Sequence, residues 1–364
     1  MILKKCDMQT LGERCKGKRL VCYGIGGEFE KIIKNYEGYE WQRAITFLVD
    51  GNTKKSGQTR EVEGKQFAIM SLADFLKEDL ENVLILVTSL AFEEIYIRLD
   101  QIDALKYTEC YLYHFMFHLS EGKKLAIRQT EKPLIPKVIH YCWFGGKEMP
   151  GLYQKCIESW KRYCPDYSIQ RWDETNCDIH ECIYAQQAYG AGKLGFVPDY
   201  FRLKIIYENG GVYLDTDVEL IRNIDDLLYN HAFCGLQVPD EVNLGLGFGA
   251  CKGEGIILKL MQRYKTMRFL KGDGGADETV STKYQTEDLE DMGMCCGNIL
   301  KKVGRMTVYP IEVLSPKNCL TEECSISDNS YAIHHYDGSW VDGESLKIKR
   351  ARLTAVKDLQ RKFE

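Results

Sequence analysis

Apolar positions cluster in short runs separated by amphipathic stretches. Arg19–Tyr23, Ala44–Val49 and Val83–Val87 are apolar runs of strand length. Glu28–Tyr36, Ser71–Lys77 and Ala91–Ile102 place apolar residues at helical spacing between and after them. Strands alternating with helices predict a parallel sheet covered on both faces. The aromatic-rich segment Tyr107–Leu119 fits a strand or a helix, and its His114 and His118 read as core or interface histidines. EGKKLAIRQTEKP then reads as a linker, closed by Pro133 and Pro136.

The alternation restarts at Ile135. Val138–Cys142 and Tyr167–Trp172 read as strands, and Leu152–Tyr163, Ile179–Tyr189 and Ile256–Met267 as helices. The polar, glycine-containing stretch 269–293 predicts a mobile loop, and Thr307–Pro310 and Tyr331–His335 predict strands. The chain is therefore expected to be α/β, with a smaller Rossmann-like parallel-sheet domain over 1–128 and a second α/β domain over 129–345. A basic helix over 346–364 would follow.

Composition narrows the class. A net charge of −5 over 364 residues argues against a general nucleic-acid binder. The 15 cysteines form no paired framework, and no apolar leader or run of spanning length is visible, so free thiols in a reducing cytoplasm are expected. The basic tail Lys347–Lys362 suggests peripheral contact with the anionic inner membrane face. Cys177-x-x-His180-x-Cys182 lacks the second half of a zinc site.

Gly24-x-Gly26 before a helix, with an acid at Asp50, outlines a dinucleotide fingerprint, but Phe29 stands at the third glycine position. A Rossmann-like scaffold of unknown ligand is expected. An NAD-dependent sugar-nucleotide oxidoreductase or epimerase remains an alternative.

The chemistry concentrates in Phe196–Glu219, FVPDYFRLKIIYENGGVYLDTDVE. Pro198 and Asp199 suit a helix start, and Asp199 and Arg202 share a helix face. Gly210-Gly211 stops the helix, and Val212–Leu214 reads as a buried strand. In extended chain Asp215 and Asp217 would point the same way, and two converging carboxylates suit Mg²⁺ or Mn²⁺. Arg202 adds a forked contact for a phosphate or sugar. Alone, D-x-D is a polar turn; the preceding strand and Asp-x-x-Arg helix make it a candidate site. Trp143, after the first strand of its domain, is either a base-stacking platform or a core tryptophan. VNLGLGFGA (242–250) has no phosphate-loop lysine and reads as a backbone-lined wall. Alternation puts His334 and His335 on opposite faces; His335 is expected at the metal site and His334 in the core.

Taken in order, IPKVIHYCWFGG, CIESWKRYCPDY, the Phe196–Glu219 segment and HHYDGSW resemble glycosyltransferase family 32, the DXD sugar transferases of bacterial polysaccharide synthesis. They are also similar to the catalytic domains of large clostridial glucosylating toxins. The resemblance covers Ile135–Trp340. It implies a GT-A fold, a UDP-sugar donor, Mn²⁺ or Mg²⁺, and retention of anomeric configuration. Trp143 would stack on the uracil, Asp199 and Arg202 would hold the sugar and its phosphate side, and Tyr213 would lie near the donor. Asp215 would contact ribose and metal-bound water, and Asp217 the metal. His335 or Ser339 would complete the metal shell, and Trp340 would touch the leaving oxygen or donor sugar. The family commonly has serine where this chain has Pro198, which removes one N–H and one hydroxyl. The implied activity moves a hexose or N-acetylhexosamine to a glycan acceptor, lipid-linked in a membrane setting. A non-catalytic nucleotide-sugar-binding protein is the other alternative, although Asp199, Arg202, Asp215 and Asp217 are all present.

Overall fold

Seven strands form the sheet of the first unit, in the order Ile2–Lys4, Glu109–Leu112, Val83–Val87, Arg19–Tyr23, Ile45–Asp50, Lys65–Ser71, Thr59–Val62. Six run parallel, and Thr59–Val62 closes one edge as an antiparallel hairpin with Lys65–Ser71. The computed structural model describes residues 1–117, 124–338 and 343–363. It divides into two units: Met1–Gly122 with Leu320–Glu323 and Gly343–Glu364, and Lys123–Cys319 with Cys324–Asp342.

In the first unit the three strands read from apolar runs occur as Arg19–Tyr23, Ile45–Asp50 and Val83–Val87. The last is buried along its whole length, which is why its run is continuous rather than alternating. The ambiguous aromatic segment becomes the strand Glu109–Leu112 and a short helical turn. His114 is buried there among the rings of Phe92, Tyr113 and Phe117; His118 lies outside the described residues. Phe29 is buried and helps fill the core. Asp50 accepts from the Ile25 and Asn52 amides at 2.8 Å and from Lys55 Nζ at 2.8 Å. The acid that a dinucleotide ribose would need is thus engaged in tying its own loop to the glycine turn.

The C-terminal segment joins this unit as the helix Gly343–Gln360. Val356 and Leu359 are buried in the same cluster as Val21, Ile85 and Phe92. Arg352 pairs with Glu93, Lys357 with Glu322 and Lys362 with Asp100. These partners engage Arg352, Lys357 and Lys362 of the segment's basic residues. Among the described residues no helix is long and apolar enough to cross a membrane.

The second unit is a mixed α/β domain, consistent with the GT-A type expected of it. Its sheet runs Lys301–Val303, Met306–Tyr309, Ala232–Val238, Phe248–Ala250, Gly211–Tyr213, Val138–Cys142, Ser168–Trp172, with Glu241–Val242 beside Ala232–Val238. The last three strands of that order are mutually parallel, and Phe248–Ala250 is antiparallel to its neighbours. A separate antiparallel ribbon pairs Val218–Leu220 with Ala332–His334.

Two expectations change in this unit. The residues read as a linker are part of it: Ile127 is buried in its core, and the Gln129, Thr130 and Leu134 amides bond to Tyr229 and Leu228 carbonyls. The alternation of charges hid a single anchoring isoleucine. The expected loop at 269–293 contains the helix Ser281–Asp291, whose buried Thr282, Gln285 and Leu289 recur at helical spacing. Its polar composition masked that stripe because a glutamine and a threonine occupy two of the three positions.

Candidate active site

The helix Pro198–Asn209 begins with proline in its first turn and ends at Gly210. The two glycines are required. Gly210 (φ +69°) and Gly211 (φ +103°) lie in left-handed conformations, and a Cβ at Gly211 would sit 2.7 Å from the Val138 carbonyl oxygen. Only a bare backbone lets Gly211–Tyr213 enter between its two neighbouring strands directly after the helix.

Asp199 and Arg202 share one face of that helix, as the spacing predicts, and both are buried. The Arg202 guanidinium lies 3.2 Å from Asp199 and 3.5 Å from Asp215, and its carbon stands 5.3 Å from the centre of the Tyr213 ring. Arg202 thus links the helix to the D-x-D segment. Burial pushes the Asp199 carboxyl up to about 6, against the pull of Arg202 and a hydrogen bond from Ser281. Burial opposes the charge on Arg202 as well, but Asp215, Tyr213 and Asp199 outweigh it and hold the guanidinium protonated. Tyr213 is buried beneath Arg202 and meets Asp215 through its hydroxyl.

The strand ends at Tyr213, so Asp215 and Asp217 converge through a turn, closed by the Val218 amide on the Asp215 carbonyl at 3.0 Å, and not through extended chain. The convergence itself is present. One donor atom each from Asp215, Asp217 and His334 lies within 4.8 Å of the others, the grouping of cation-ligating side chains found among the described residues. Cys177, His180 and Cys182 form no such group there.

His334, not His335, stands at the carboxylates. Its Nε2 lies 3.2 Å from Asp217 Oδ1, whereas His335 Nε2 lies 2.9 Å from Glu219. The cause is register. Val218 pairs with His334 across the ribbon, which brings His334 over the end of the D-x-D turn and sends His335 outward beside Glu219. The Tyr336 amide donates to His334 Nδ1 at 3.2 Å. That pattern makes Nδ1 an acceptor and puts the ring proton on Nε2, facing Asp217. The Asp337 amide donates to Asp217 Oδ2 at 3.0 Å. Burial works against the Asp217 charge, but His334 and the Asp337 amide overcome it and hold the carboxyl well below its ordinary range.

Trp143 is half-buried just after Val138–Cys142, its ring 5.4 Å from that of Tyr153. Tyr153 donates to Asp337 at 2.6 Å, and Asp337 bonds to Asp217 through its amide. Trp143 is therefore connected to the carboxylates by two residues that sequence reasoning missed. The HHYDGSW run held one of them, Asp337, whose amide rather than side chain reaches Asp217. Ser339 and Trp340 lie outside the described residues. A third missed residue is Gly245. Its amide donates to Asn243 Oδ1 at 2.7 Å, and a Cβ there would overlap Asp215 Oδ2, so the glycine-rich 242–250 stretch walls the carboxylates. The Gly245 carbonyl accepts from the Asp215 amide at 3.2 Å.

Two oxygen-donor carboxylates held this way, beside a fixed guanidinium, form a surface for a divalent cation and an anionic leaving group. The donor set fits Mg²⁺ or Mn²⁺: Asp215 and Asp217 would hold the ion, and His334 keeps Asp217 oriented.

Residues 150–234 match the family described as the glycosyltransferase sugar-binding region containing DXD motif. The chain is 28% identical over 153 residues to inositol phosphoceramide mannosyltransferase 3 of Schizosaccharomyces pombe, covering 39% of this chain and 41% of that protein. It is 30% identical over 110 residues to the initiation-specific alpha-1,6-mannosyltransferase of Candida albicans, covering 28% and 29%. The chain thus spans less than half the length of either curated relative. Among solved structures, PaToxG glycosyltransferase aligns over 44% of this chain and 71% of its own, with a TM-score of 0.32 and 17% identity. The stretch that carries Asp199, Arg202, Asp215 and Asp217 is thereby similar to the DXD sugar-binding region of glycosyltransferases, and these two curated relatives of the chain are mannosyltransferases.

Proposed function

We propose that the second unit is a metal-dependent glycosyltransferase of the family 32 type, moving a hexose or N-acetylhexosamine from a nucleoside-diphosphate sugar to a glycan acceptor. The carrying observation is the meeting of Asp215, Asp217 and His334 beside the Asp199–Arg202 pair, within the matched sugar-binding region. Asp199 and Arg202 bind the donor sugar and its phosphate side. Trp143 offers a ring for the base, with uracil the base the resemblance implies. Asp215 and Asp217 would hold a divalent cation, which when bound would supply charge neutralisation for the departing diphosphate. Retention follows from the resemblance, by same-face attack of the acceptor hydroxyl or by two displacements through a carboxylate.

The mannosyltransferase relatives make mannose the first hexose to test, alongside glucose, galactose and N-acetylglucosamine. A lipid-linked acceptor and a role in bacterial surface polysaccharide synthesis complete the proposal. The test is a donor panel incubated without acceptor, with Mn²⁺, with Mg²⁺ and with chelator. Slow metal-dependent release of a nucleoside diphosphate from one donor supports the reading and names the sugar. Release of pyrophosphate would assign nucleotidyl transfer instead.

A further inference from the structure

We infer a second ligand site, in the first unit, for a phosphate-bearing small molecule of mononucleotide size or less. Its carrier is a cavity placed by topology. Arg19–Tyr23 lies between Ile45–Asp50 and Val83–Val87, all parallel. After Arg19–Tyr23 the chain builds one side of the sheet, then crosses back to Val83–Val87 on the other. The loops after Tyr23 and Val87 therefore part at the carboxyl ends of adjacent strands. Such a reversal opens a crevice, where open parallel sheets take their ligands. Here it is a cavity of about 360 Å³, whose lining includes Gly26, Gly27, Lys55, Ser89 and Arg98. That volume falls within the range of small-molecule pockets.

The lining selects an anion. Arg98 donates to the hydroxyl of buried Tyr23 at 2.6 Å, with its guanidinium carbon 5.7 Å from the ring centre. Among the described residues Arg98 has no carboxylate partner, so a cation is held at the cavity without one. Lys55 Nζ is fixed by Asp50 at 2.8 Å and the Ile25 carbonyl at 2.7 Å, which leaves one of its three N–H bonds. The lining acids are Asp50, already engaged by Lys55 and two amides, and Glu28. The helix Gly27–Asn35 opens onto the same space without a side-chain cap, and a Cβ at Gly27 would meet nothing within 4 Å. A phosphate ester matches this combination of a forked guanidinium, an ammonium and backbone N–H groups. A dinucleotide does not, because Asp50 is committed and Phe29 fills the position of close helix–strand approach.

Hydrogen exchange read by mass spectrometry on the full chain tests this, with inorganic phosphate, AMP, UMP and NAD as separate probes. Two variants accompany it: Arg98→Ala, and Gly27→Asp, which puts a carboxylate into the open space at a helix start where acids are tolerated. The expected result is saturable protection of peptides covering 24–30 and 88–98 by phosphate or a monophosphate. Affinity should fall at least tenfold in both variants. Asp217→Asn, in the other unit, should leave that protection unchanged, which separates this site from the glycosyltransferase reading. No protection from any probe at millimolar concentration, protection by NAD alone, or protection that survives both variants would overturn the inference.

Discussion

His334 Nε2 lies 3.2 Å from Asp217 Oδ1, across an antiparallel ribbon that joins residues more than a hundred positions apart in the chain. The neighbouring His335 is turned to Glu219. This relationship assigns unequal consequences to two adjacent histidines. His334→Ala should lower donor turnover at least tenfold and raise the Mn²⁺ concentration for half-maximal rate, on the general scale of losing the group that orients a metal-ligating carboxylate. His335→Ala should change either by less than threefold, on the scale of an exposed pair. Equal losses in both variants would contradict the assignment.

Gly245 sits against Asp215 with no room for a side chain. Gly245→Ala must displace either the carboxylate or the 244–246 turn. A destabilisation of about 1–3 kcal/mol is expected from overpacking, together with weaker metal activation. Chemical denaturation and a Mn²⁺ titration of rate would measure the two. A variant with unaltered metal dependence would show that Asp215 does not take part in the cation site.

Asp199 gives a pH signature. Its carboxyl is raised from 3.8 to about 6, so between those values the folded protein holds a proton that the unfolded chain has released. Stability contributed by this group is therefore fully present below pH 4 and is lost as pH rises toward 6. The difference in unfolding free energy between wild type and Asp199→Asn should change across that window, in the direction of relative loss for wild type as pH rises. The size is on the order of 3 kcal/mol. A difference that is flat with pH would refute the raised carboxyl.

The legible parts of the chain were those where one residue type has one physical use. Pro198 opens the helix because proline suits a first turn, and Gly210-Gly211 closes it because glycine alone takes its positive φ without strain. Val83–Val87 is legible with the bounds it has, since a strand buried along its length gives a continuous apolar run; Val138–Cys142 is legible as well, although His140 interrupts its run. Choosing between His334 and His335 required the register with Val218, which periodicity does not contain. The glycine-rich 242–250 wall is legible, but not that Gly245 faces Asp215, and Tyr153 and Asp337 reach the carboxylates by long-range packing or through backbone atoms that no local pattern marks. The helix Ser281–Asp291 was hidden because its buried stripe is partly polar.

The most direct test of the central claim compares wild type with Asp217→Asn for Mn²⁺-dependent release of nucleoside diphosphate from the preferred donor. Asparagine preserves the shape of the side chain while removing its charge, and circular dichroism would verify the fold. A loss of at least a hundredfold in turnover is expected, on the general scale of removing a principal electrostatic contact at a reacting phosphate. Turnover that stays within a few-fold of wild type in a folded Asp217→Asn protein would contradict it.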